Sequence, residues 1–152
     1  MFDEVLGLPV HALVVHFAVV LTPLLVVVAL AHALAPRWRP ATAWAVVALS
    51  LGSFGAVVAA WASGPRLLES RFSTAEGVLA ERIDTHASFA TPLLLAVAGL
   101  SAVSLALVHA ARGDRFGKIG TMVLSGLTVV LALAAAYYVF RSGDSGARAV
   151  WG

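Results

Sequence analysis

Four stretches of this chain contain no Asp, Glu, Lys or Arg: residues 5–36, 40–65, 85–111 and 119–140. Each is longer than the ~20 apolar residues a helix needs to cross a bilayer. Hydrocarbon offers backbone N–H and C=O groups no partner, so a lone segment must satisfy them internally, as a helix does. The runs therefore predict transmembrane helices near 9–34, 42–62, 86–110 and 119–140. Short connections make consecutive helices antiparallel neighbours. The expected fold is all-α, an up-down-up-down bundle of four transmembrane helices in one domain over 1–140. The Gly/Ser-rich segment 141–152 reads as a flexible C-terminal tail. Composition agrees: 61% of residues are apolar and 12% charged, against about 25% charged in soluble domains.

The same composition narrows the chemistry. There is no cysteine, which removes disulfides, thiolate nucleophiles and thiolate metal sites. The net charge is only +2, and the cations fall in loops and tails. No basic stripe interleaved with aromatics suits a nucleic acid. Asp3 and Glu4 stand where a cleavable signal would be positive, so the first apolar run is expected to stay in the protein.

Pro9 suits a helix start, where its missing N–H costs nothing. Pro23 lies inside the first span and predicts a kink near Val19–Val20. Small residues recur every fourth position in span 2 (Ala48, Gly52, Ala56, Ala60) and span 3 (Ala98, Ala102, Ala106, Ala110). Such rows let helix backbones approach closely in a membrane. Between these spans, Ser73-Thr74-Ala75-Glu76 has the spacing of a capping box. It predicts that the third helix begins near Thr74, outside the bilayer.

Arg37, Arg39, Arg112, Arg115 and Lys118 crowd the two short loops, whereas Arg66, Arg71, Arg82, Arg141 and Arg148 lie in longer segments on the other side. Charge density beside span ends marks the short loops as cytoplasmic and puts both termini outside.

The five histidines all lie in charge-free runs, and only in the first and third: His11, His16, His32, His86 and His109. An ionisable group within the membrane is a functional candidate by default. His11 lies 26 positions before Arg37, and His86 lies 26 positions before Arg112. These two belong at one level near the outer face, with His16 roughly 7.5 Å deeper at 1.5 Å per residue. His32 and His109 fall near the inner interface, where hydrogen bonding or headgroup contact is expected of them. His11 and His16 diverge by roughly 140° around a regular helix. One of them with His86 is therefore the simpler pair. Two imidazoles from facing helices suit a b-type haem; a copper or zinc site needs two to four. Interhelical hydrogen bonding and proton relay are the other roles such histidines fill.

The opening His11-Ala12-Leu13-Val14-Val15-His16-Phe17 resembles the HP-x-x-x-HF motif of a family of four-helix bacterial membrane proteins catalogued as a domain of unknown function. Glu76 to His86, an acidic amphipathic turn before a histidine, is similar to that family's second element, at the start of span 3. The resemblance runs from about Leu8 to Phe140. It implies an integral membrane protein of the bacterial cell (inner) membrane. Because some relatives are fused to cytochrome c-type domains, it also implies redox work around His11, His16 and His86. The chain departs from the pattern at Ala12 and Ala18, where the family usually has Pro. It departs again at Trp61-Ala62-Ser63-Gly64, which lacks the family's Gly-Asp element.

Three functional readings stand. The first is a small haem-binding or redox subunit using His11, His16 and His86, with b-type haem ahead of copper or zinc. The second is a non-catalytic subunit that meets other membrane or redox subunits through its Ala/Gly faces. The third is a metal-handling or transport protein. No hydrolytic constellation is present, and electron transfer is the only chemistry expected.

Overall fold

A computed structural model describes residues 4–5, 8–113 and 116–152. A short antiparallel pair, β1 (Glu4–Val5) and β2 (Leu8–Pro9), leads into α1 (Val10–Leu34). A single 3-10 turn over Pro36–Trp38 reverses the chain into α2 (Arg39–Arg71). Then come α3 (Gly77–Ser88), α4 (Ala90–Ala111) and α5 (Gly117–Trp151). α1, α2, α4 and α5 contain stretches long and apolar enough to cross a membrane, with α3 prefixed to the third.

In this antiparallel ring α1 packs on α2 and α5, and α4 packs on α5 and α2, leaving α1 and α4 on one diagonal. The interior is built largely from small side chains, including Ala18, Ala29, Ala96, Ala132 and Ala135, with Leu25, Val97 and Leu100 among them. The large apolar residues Phe17, Val27, Trp44, Leu95, Val130 and Phe140 point outward and are exposed. That inversion suits lipid, where burial of large apolar groups gives no drive between helices and close backbone approach does.

The expected rows of small residues are only partly the contact faces. Gly52 meets Leu21 of α1 and Ala56 packs on the core, but Ala48 and Ala102 are exposed. The buried face of α2 instead runs through Ala43, Val46, Ser50, Ser53 and Val57. Serine is as useful as alanine for close packing, and the row it belongs to is rotated from the one alanine and glycine suggest.

Pro23 lies inside α1, which continues unbroken. The capping box does not form: α3 begins at Gly77, with no side-chain bond at its N-cap Glu76. Gly77 has φ +60, a conformation that glycine adopts readily, and it sets the start of the helix three residues later than expected. α3 and α4 part at Phe89. Pro92 explains this, because it has no N–H for the carbonyl of Ser88 and its ring crowds that carbonyl.

The largest difference is at the C-terminal end. Residues 141–152, whose Gly and Ser content suggests a tail, continue α5 as helix to Trp151. α5 packs there on α3, and Arg82 Nη1 donates to the carbonyl of Arg148. Arg148 also pairs with Asp144 one turn back, at 3.0 Å. Packing contacts of this kind override low helix propensity.

Candidate functional site

Two imidazoles meet at the mouth of the bundle. The rings of His11, in the first turn of α1, and His86, near the end of α3, lie 6.5 Å apart between centroids, at 80° to one another. They reach across the diagonal of the ring of helices. Both are half-buried.

Each imidazole is held by the far end of the next long helix, and the two anchors match. His11 Nδ1 lies 3.1 Å from the Ala60 carbonyl and 3.0 Å from Ser63 Oγ. His86 Nδ1 lies 3.1 Å from the Ser142 carbonyl and 3.2 Å from Ser145 Oγ. A carbonyl only accepts, so in both rings Nδ1 carries the proton and donates. Each serine hydroxyl accepts from its imidazole and donates to its own helix: Ser63 to Ala59 and Ala60, Ser145 to Ser142. Nε2 of both rings is then left with its lone pair, the atom a metal takes.

A glycine follows each serine. Gly64 presents no side chain to His11, whose Cε1 would lie 3.5 Å from an added Cβ. At Gly146 the fit is tighter, with His86 Cε1 at 3.1 Å and Nδ1 at 3.2 Å from an added Cβ. Carbonyl, serine three residues on and glycine four residues on therefore recur in both hairpins. The Gly-Asp pair missing from the end of span 2 stands at the corresponding place in α5, as Gly143-Asp144.

The other histidines are not brought here. His16 is exposed, and its Nδ1 bonds to the carbonyl of Ala12 in its own helix. This is the divergence that helical geometry predicts. His32 is buried at the opposite end of α1, 2.8 Å from Thr42 Oγ1. His109 is exposed.

Sequence reasoning missed Ser63, Ser142 and Ser145. The repeated Ser-Gly pairs at 63–64 and 145–146 were the available signal. It also missed a set of buried hydroxyls at mid-depth. Thr22, Ser50, Ser53 and Ser104 are enclosed with no hydrogen-bond partner for their side-chain oxygens.

The separation and tilt are those of an edge-to-face pair of rings. Among the described residues no group of three or more His, Asp or Glu converges on a point. A structural zinc site with four protein ligands is therefore not built from the described residues.

No curated protein and no solved structure matches the chain. A family model described as "Predicted membrane protein (DUF2231)" matches residues 7–152. With that match over nearly its whole length, and four helices fit to span a bilayer, the chain belongs to this family of predicted membrane proteins.

Proposed function

We propose that the protein is a small metal-binding membrane subunit in which His11 and His86 hold one metal centre through Nε2. The paired imidazoles, each with Nδ1 fixed by a carbonyl and a serine, carry this reading. Fixing the far nitrogen of a ligating histidine is how metal sites set its tautomer and orientation. The donor count favours a b-type haem, whose iron would supply one-electron transfer; copper is the second fit. In the bacterial inner membrane, with the arginine-dense short loops inside, the pair and both termini face the outer side. Other membrane or redox subunits would exchange electrons there.

The repetition of the anchor in two hairpins favours a second reading, metal handling or transport, since transporters are commonly built from repeats. In the assembly reading the histidines only staple helices together.

Haem and metal content per chain distinguishes the three. Stoichiometric haem that is lost in His86→Ala and kept in His16→Ala supports the redox reading. A bare ion with the same dependence supports metal handling. Folded protein that carries neither leaves the histidines as staples.

A further inference from the structure

At the end of the bundle opposite the histidine pair, a cleft of about 580 Å³ opens between α1, α4 and α5. Its polar side is cationic: Arg39, Lys118 and the hydroxyl of Ser125 line it. Its other walls are apolar, among them Leu34, Ala110 and Met122. No carboxylate stands among the described residues that line it. Arg39 is held in place rather than waving in solvent. Its Nε donates to the His32 carbonyl at 3.1 Å, and its Nη2 reaches the Ala33 carbonyl and Ser125 Oγ. Nη1 takes no part in these bonds. Lys118 is exposed, on the first turn of α5.

We propose that this cleft binds an anionic phospholipid, with the phosphate between Arg39 and Lys118 and an acyl chain along Leu34, Ala110 and Met122. A cleft at the end of the membrane-spanning helices, lined by Arg39 next to Trp38 in sequence, sits where headgroups and tails meet. Its combination of fixed cation, exposed cation and apolar wall fits a molecule with an anion at one end and hydrocarbon at the other. A free phosphate would use only the polar half. Basic pockets between membrane helices recognise anionic headgroups in this way.

The test is native mass spectrometry of the full chain released from detergent. It is supplied with phosphatidylglycerol or with phosphatidylcholine of the same acyl chains. Phosphatidylglycerol adducts should exceed phosphatidylcholine adducts about five-fold, the worth of one cation near a lipid phosphate. Lys118→Gln should shrink that excess and leave the part due to Arg39. Met122→Trp, which fills the apolar side and keeps the charge, should weaken phosphatidylglycerol as well. Inorganic phosphate at millimolar concentration should displace neither. Equal adducts of both lipids, or phosphatidylglycerol binding indifferent to Lys118→Gln, overturns the proposal. Displacement by inorganic phosphate with no effect of Met122→Trp assigns the site to free phosphate instead, and overturns the lipid.

Discussion

His11 and His86 are 75 residues apart in the chain and 6.5 Å apart in space. They meet although α1 and α4 lie on a diagonal of the bundle and share few contacts. The pair is possible because α3 carries His86 past the break at Phe89 and because α2 and α5 run on far enough to hold both rings from behind. The anchors lie at residues 60–64 and 142–146.

Ser145→Ala removes one acceptor from His86 Nδ1 and leaves the Ser142 carbonyl in place. The expected loss of stability is about 1 kcal/mol, read as a lowered unfolding midpoint in detergent. Loss of a partner behind a metal ligand typically costs 10- to 100-fold in affinity. Ser145→Ala and Ser63→Ala should each weaken metal binding on that scale if the proposed centre forms. Unchanged affinity in both would mean that the serines only bridge helices.

The two glycines should respond unequally to alanine. At Gly64 the added methyl meets His11 at ordinary van der Waals distance, whereas at Gly146 it presses on two ring atoms of His86. Gly146→Ala should shift the His86 ring by a few tenths of an ångström. Gly64→Ala should be close to silent. Ring-proton chemical shifts of the two histidines measure this directly, and equal shifts in both variants would contradict the packing.

Thr22 and Ser53 bury hydroxyls that find no partner in the protein. Replacing an unpaired buried polar group with an apolar one of similar shape is nearly neutral or stabilising. Thr22→Val and Ser53→Ala should therefore leave the unfolding midpoint unchanged or raise it. A loss of about 1–3 kcal/mol would show instead that ordered water is bonded there.

Arg39 ties the last carbonyls of α1 to Ser125 of α5. Arg39→Gln should loosen that end of the bundle, with faster hydrogen exchange in the last turn of α1. Exchange at the distant His11 amide should not change. Whole-bundle unfolding in place of local fraying would show that the arginine supports more than the helix end.

The four helices were legible because lipid forbids charge, so the gaps between charged residues mark the spans. The shared level of His11 and His86 was legible for the same reason, through their equal distances from Arg37 and Arg112. What holds them was not. Hydropathy runs out where Ser63 and Ser142 begin, yet both helices continue, α5 doing so against α3. A glycine-rich end such as Gly143 to Gly146 reads as coil when taken alone, and only the packing of α3 against α5 reveals it as helix. The same limit misplaced the start of α3, where the positive φ of Gly77 decides against the capping box.

The account's central claim is that His11 and His86 share one metal centre. Its most direct test is the optical spectrum of the purified protein, oxidised and then reduced with dithionite, after expression with a haem precursor. Metal analysis of the same sample accompanies it. The account predicts a Soret band with sharp reduced α and β bands, or failing a chromophore one bound metal per chain. Either signal should be lost in both His11→Ala and His86→Ala and retained in His16→Ala. A folded protein with a featureless spectrum and no stoichiometric metal, or a signal that survives both substitutions, would contradict it.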